Sequence, residues 1–183
     1  MSAALACFAR NGYDATRTRQ IAEAAGVSDG ALYKHFASKE QLARELYVQG
    51  LYVFVDALDV ASQGCGTPLD ALRAMASRVL TGYRELPDEF VYVLLQAPPF
   101  AALELPRDHD LPMDVVTRSV ERGQADGSVR KGDSRTLAAS FLGCLLEPIV
   151  MSRATPGCVP DFLVDDTFDA TIVGAAVGAI STR

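Results

Sequence analysis

Histidine is scarce in this chain: His35 and His109 are the only two in 183 residues. There is no acid pair in an evident motif, no nucleophile elbow and no phosphate-binding loop, so catalysis is not expected. Cysteine is sparse and unpatterned. Cys7, Cys65, Cys144 and Cys158 share no C-x-x-C or Cys/His spacing, which argues against a zinc site, and neither a metal nor another cofactor is expected. In a cytosolic chain they stay thiols and serve as small apolar residues. No apolar run approaches the ~20 residues of a membrane span, and the N-terminus lacks a basic-then-apolar signal pattern. The expectation is a cytoplasmic protein without a membrane partner. Positive charge is also short, the formal net being −6.

What is present is apolar and helical. Hydrophobic residues make up 49% of the chain, so disorder is not the default, and the length suits one or two small domains. The stretch Thr16–Leu42 reads as three short helices with two tight breaks. Ile21, Ala22 and Ala25 form the apolar stripe of a helix opened by Thr16. Gly26 supplies the positive φ that stops it. Ser28 caps a second helix, in which Ala31, Leu32 and Phe36 can face a core. A third opens at Ser38, where Ser38-Lys39-Glu40-Gln41 forms a capping box. Helix, glycine-containing turn, helix is the helix-turn-helix pattern, whose second helix lies in the DNA major groove.

Gly12-Tyr13 with Thr16, Ile21-Ala22, Ala25-Gly26-Val27-Ser28, Gly30, Leu32-Tyr33, His35-Phe36, Ser38-Lys39-Glu40 and Leu42 closely resemble the DNA-binding domain of the TetR family of transcriptional regulators. The likeness runs from about Leu5 to Leu46 and is architectural beyond residue 50. It implies an all-α fold: a three-helix helix-turn-helix DNA-binding domain over residues 1–45, then a helical ligand-binding and dimerisation domain over residues 46–183. The chain opens Met1-Ser2-Ala3-Ala4, without the basic residues that members usually carry ahead of the first helix; either that arm is absent or the start is shortened or misplaced, which bears on DNA affinity and not on the fold.

In residues 1–50, Arg10, Arg17, Arg19, Lys34, Lys39 and Arg44 only just outnumber Asp14, Glu23, Asp29, Glu40 and Glu45. A small excess suffices if it faces one way, and Arg17, Arg19, Lys34 and Lys39 all flank the reading helix. The candidate DNA contacts are Thr16, Arg17, Arg19, Ser28, Asp29, Gly30, Tyr33, Lys34, His35 and Lys39. Thr16 and Lys39 stand at helix starts, where backbone N–H groups also point outward. The resemblance implies a phosphate bond from the Tyr33 hydroxyl; a rim aromatic that simply packs is the alternative. His35 reads as a structural hydrogen-bonder beside Phe36 rather than a base reader. Gly30 keeps the helix surface low. Asp29 either complements the helix dipole or accepts from cytosine N4, and both readings stay open.

From Lys39 a helix is expected to about Ala61, with Leu42, Leu46, Val53 and Leu58 inward and Gly50 a weak point. Ser62–Gly66 is the clearest linker. Thr67-Pro68 opens a helix to about Leu86, Pro87 another over Asp88–Gln96, and a further helix spans about Leu111–Ala125. The G-x-V-R-x-G-D turn at Gly127–Asp133 again resembles the TetR family. The last two helices run from Asp133 or Ser134 to Ser152, kinked by Pro148, and from Asp165 or Asp166 to Ile180. Small residues around Gly174 and Gly178 permit close helix approach, inside one subunit or between two. The resemblance favours a homodimer through these two helices.

Phe54, Met75, Tyr83, Phe90, Tyr92, Phe100, His109 and Met113 are the candidate lining of a cavity for a mainly apolar effector, with Tyr83 and His109 as polar handles; each alone equally suits a core. The resulting expectation is a ligand-responsive dimeric regulator, in the first instance a repressor. It binds a palindromic double-stranded DNA operator and leaves it when the small molecule binds. The alternative is a helical ligand-binding or protein-interaction module that has lost DNA binding.

Overall fold

A computed structural model describes residues 2–96, 98, 110–155, 157–159, 161, 162, 164 and 166–182. The regular structure among the described residues is helical, apart from an isolated antiparallel bridge between Val129 and Ser181. The helices are α1 Ser2–Ala15, α2 Thr18–Ala25, α3 Asp29–His35, α4 Lys39–Ser62, α5 Pro68–Glu85, α6 Pro87–Phe90, α7 Pro112–Asp126, α8 Ser134–Ala154 and α9 Asp169–Gly178. A π-helical run, Val91–Leu95, continues α6. The all-α expectation therefore holds. The chain divides into two compact units, Met1–Val53 with Leu86–Asp108, and Phe54–Glu85 with His109–Arg183. Sequence reasoning placed 86–108 with the second half of the chain; the contacts of Tyr92 and Val93 explain why it groups with the first.

In the first unit, Phe8 of α1 stacks on Tyr92 with ring centroids 5.3 Å apart, and Tyr47 of α4 meets Tyr92 edge-on at 6.4 Å. The Tyr92 hydroxyl donates to the Ala43 carbonyl at 2.8 Å, and burial pushes its pKa well above the ordinary phenol value. Gly50 lies under Val93: a Cβ built on it would stand 2.6 Å from Val93 Cγ2. Gly50 is thus a close-approach position in an unbroken helix. Leu42, Leu46, Leu51 and Val55 follow the helical period on the buried face of α4. Val53 falls on the opposite side at 60% exposure, contrary to its expected inward place.

The start of α2 also differs. Arg17, in extended backbone, is its cap, and the Arg17 N–H donates to Gln20 Oε1 at 2.8 Å. α1 reaches Ala15 across a non-helical Gly12 at φ +77°. The Thr16 hydroxyl lies 2.7 Å from the Gly12 carbonyl oxygen and 3.1 Å from that of Cys7. Thr16 thus finishes α1 rather than opening α2.

In the second unit, Leu72, Met75, Ala76, Val79, Leu80 and Tyr83 form the buried stripe of α5, which packs against α7, α8 and α9. Arg84 makes a bidentate pair with Asp169, one arm at 3.1 Å, and also donates to the Phe162 carbonyl at 3.3 Å. α9 starts at that Asp169 rather than at the expected Asp165 or Asp166, and it ends at Gly178 rather than Ile180; Asp165 lies outside the described residues. α8 corrects another expectation. Among the described residues it alone is long and apolar enough, by length and composition, to cross a membrane, with an 18-residue window of mean hydropathy 1.4. Its Leu137, Ala138, Phe141, Leu145 and Ile149 are buried in this unit. Asp133 caps it, accepting from the Thr136 N–H at 2.7 Å, and the helix runs through Pro148.

Candidate functional site

Gly26, at φ +68°, ends α2, and the Val27 N–H returns to the Ala22 carbonyl at 3.0 Å. The Ser28 hydroxyl then accepts from the Ala31 N–H at 3.2 Å and starts α3. Both punctuation marks stand where the sequence places them. α3 has no buried residue. Ala31, Leu32 and Phe36 are half-buried, whereas Asp29, Gly30, Tyr33, Lys34 and His35 are exposed. A helix so weakly covered by its own domain presents nearly its whole length outward.

The candidate contacts divide into two groups. Arg17, Arg19, Ser28, Asp29, Gly30, Tyr33, Lys34 and His35 share the exposed surface of α2, the turn and α3. The Tyr33 and Thr18 hydroxyls are 3.1 Å apart, which fixes the phenol at the start of α2. Arg19 pairs with Glu23 at 2.9 Å, both side chains well over half exposed. Such a pair is worth little in water, so exchanging it for a phosphate costs little. Lys34 has no ion-pair partner among the described residues. A Cβ on Gly30 would meet only Ser28 Oγ, at 4.0 Å. The protein itself therefore does not require glycine there, and the room lies outside it. His35 makes no hydrogen bond among the described residues, unlike the structural role expected, and its ring lies 6.5 Å from that of Phe36.

Thr16 and Lys39 form the second group, and geometry turns both inward. Thr16 is 1% exposed with its hydroxyl on α1 carbonyls, so that side chain is not available to a phosphate. Lys39 Nζ donates to the Tyr13 and Thr16 carbonyls at 2.8 and 3.0 Å and sits 4.2 Å from the centroid of the Tyr13 ring. The ammonium closes the C-terminal end of α1, where carbonyls lack helical partners. Ser38 caps α4 as expected, accepting from the Gln41 N–H at 3.0 Å, but Gln41 Oε1 returns to the Ala37 N–H, one residue before the cap.

The second unit holds a cavity of about 500 Å³ lined by Asp59, Ser62, Met75, Val115, Arg118, Ser119, Glu121, Arg122 and Ala125. Of the expected lining residues that the structure describes, Met75 alone is there. Tyr83 is 2% exposed in the core of α5, and Phe90 and Tyr92 are buried in the first unit. Phe54 and Met113 are half-buried without lining this cavity. Phe100 and His109 lie outside the described residues. Arg118 and Arg122 are not among the aromatic-rich lining expected from sequence; Val115, Arg118, Ser119 and Arg122 share one face of α7 by their i, i+3, i+4, i+7 spacing. Among the described residues no group of three His, Cys, Asp or Glu side chains is placed to hold a metal.

Residues 1–46 match the family model for bacterial regulatory proteins of the tetR family. Over those residues, about a quarter of the chain, it is similar to the TetR family. The transcriptional repressor KstR2 of Mycobacterium tuberculosis is 40% identical over 73 residues, which are 39% of this chain and 36% of that protein. The match thus spans little more than a third of the relative. Two solved structures extend the likeness in fold to nearly the whole chain. The ketosteroid transcriptional regulator KstR2 of M. tuberculosis superposes with TM-score 0.74 at 21% identity, covering 98% of this chain and 92% of that one. The transcriptional regulator FadR of Bacillus subtilis, solved with stearoyl-CoA, gives 0.73 at 19% identity, covering 97% and 96%.

Proposed function

We propose that this chain is a TetR-family DNA-binding transcriptional regulator, a repressor rather than an enzyme, working in the cytoplasm as a homodimer. The observation that carries the reading is the bare surface of α3, with Tyr33, Lys34, His35 and Gly30 outward and no residue buried. Phosphate contacts come from Arg17, Arg19, Tyr33 and Lys34, which position the head, while Ser28, Asp29, Gly30 and His35 stand nearest the base edges. Residues 1–45 do the reading; the second unit, Phe54–Glu85 with His109–Arg183, binds the effector and dimerises.

Dimerisation follows from the geometry of DNA, since two reading helices must reach half-sites ~34–36 Å apart on a palindromic operator. The exposed small residues Gly143 on α8 and Gly174, Ala175 and Gly178 on α9 suit close approach of a second copy, and exposed Val150 and Met151 add apolar area. A small molecule in the second unit favours a dimer conformation whose heads no longer match the operator. It lowers DNA affinity by its differential binding to the two conformations. The stearoyl-CoA bound by the B. subtilis neighbour supports an effector with a large apolar part.

Fluorescence anisotropy with duplex fragments from upstream of the chain's own gene tests this. Tight, salt-sensitive binding to one palindromic fragment is expected. No binding above the nonspecific level on any fragment would refute it and leave a ligand-binding helical module as the better account.

A further inference from the structure

Within that reading, the cavity of the second unit narrows the class of effector. We propose that it takes an amphipathic molecule ending in an anionic group, a carboxylate or a phosphate, held by Arg122 and Ser119. Its apolar part lies on Met75, Val115 and Ala125. At about 500 Å³ the cavity is of small-molecule size.

Its two arginines are not equivalent. Arg118 is already balanced, pairing with Asp59 at 3.2 Å and with Asp110. Arg122 makes one hydrogen bond, to the Ser119 hydroxyl at 3.0 Å, and has no carboxylate partner among the described residues. Ser119 is 1% exposed. Its oxygen accepts from Arg122, and its own proton has no acceptor among the described residues. Arg122 is exposed, so an anion there replaces water and breaks no ion pair; with the buried Ser119 proton one turn away on α7, the pair favours an acceptor carrying negative charge. The acids of the lining do not supply it: Asp59 is held by Arg118, and Glu121 accepts from the Ser134 hydroxyl at 3.0 Å. The proposed polar handle is then this pair; Tyr83 is buried, and His109 lies outside the described residues.

Isothermal titration of the full chain with decanoate, decyl phosphate, decanol and decylammonium tests the proposal without DNA, so its outcome is independent of whether α3 reads an operator. Expected are binding of decanoate or decyl phosphate, whichever anion the site prefers, and much weaker binding of decanol. Arg122→Ala should weaken the preferred anion about tenfold or more and leave decanol unchanged, with Arg122→Lys recovering part of the loss. Ser119→Ala should give a smaller loss of the same selectivity. Melting curves of all three variants matching wild type separate a lost contact from a lost fold. Four results would each overturn the proposal: no anion binding, decanol binding as tightly as the anions, decylammonium binding more tightly than either, or an Arg122→Ala variant with unchanged anion affinity.

Discussion

Gly50→Ala sets two known effects against each other. In the interior of a helix, alanine is better than glycine by about 1 kcal/mol, from backbone entropy. At Gly50, however, the new methyl would stand 2.6 Å from Val93 Cγ2. Val93 is itself 4% exposed, on a short π-helical run pinned by Tyr92, so relief requires moving a packed branched side chain or the helix beneath it. Overpacking of this kind costs about 1–3 kcal/mol, and the expected net is a loss of about 1 kcal/mol. Gly82 of α5 supplies the internal control, because a Cβ there meets nothing within 4 Å. Gly82→Ala should therefore gain up to about 1 kcal/mol. Thermal melts followed by far-UV circular dichroism, at one fixed protein concentration, read both signs; each kcal/mol moves Tm by roughly 2–4 °C for a chain of this size. If Gly50→Ala raises Tm as Gly82→Ala does, the close approach of Val93 to α4 is wrong.

Four further outcomes follow from single contacts. Lys39→Ala should lower stability by about 1–3 kcal/mol through loss of two charge-assisted bonds and the contact with the Tyr13 ring; an unchanged melting curve would return Lys39 to the exposed contacts. Tyr92→Phe should cost about 1 kcal/mol, the value of its bond to the Ala43 carbonyl, with ring stacking retained; a change of 3 kcal/mol or more in a urea titration would mean that the ring also moves. Gly30→Ala should leave the melting curve of the protein level or slightly higher while weakening DNA binding in an anisotropy assay, and equal DNA affinity would remove α3 from close contact. For pH, hydrogen bonds from the Thr136 hydroxyl and N–H hold the Asp133 carboxyl below its ordinary value near 3.8. A depressed carboxyl contributes stability above the unfolded value and loses it as pH falls through the folded one. Acid titration of wild type should thus show a loss below about pH 4 that Asp133→Asn lacks.

Local signals were the legible ones. Gly26 and Ser28 announce the end of α2 and the start of α3 because a left-handed backbone and a capping hydroxyl act over a few residues. The exposed head around Tyr33 and Lys34 follows from them. Thr16 and Lys39 were misread for the opposite reason. Their partners, the carbonyls of Gly12 and Tyr13, belong to the end of α1, and a helix start seen from sequence does not reveal a neighbouring helix end. Gly50 looked like a weak point until Val93, 43 residues away in sequence, came to lie on it. Val53 is apolar yet faces out, which a period read from too few positions does not forbid. In the second unit, aromatic residues such as Tyr83 were offered as cavity lining although they fill the core, while the cavity itself is walled by Arg118, Ser119 and Arg122 on α7. Size and hydrophobicity mark burial; they do not separate a wall from a core.

The account stands most directly on whether Lys34 of α3 meets DNA phosphate. The measurement is the slope of log affinity against log salt for wild type and Lys34→Ala on the duplex fragment that wild type binds best. The account predicts weaker binding by the variant, a slope shallower by about one unit and a melting curve identical to that of wild type. An unchanged slope and affinity would show that α3 does not lie against the duplex, and the reading of this surface as the DNA-binding face would be wrong.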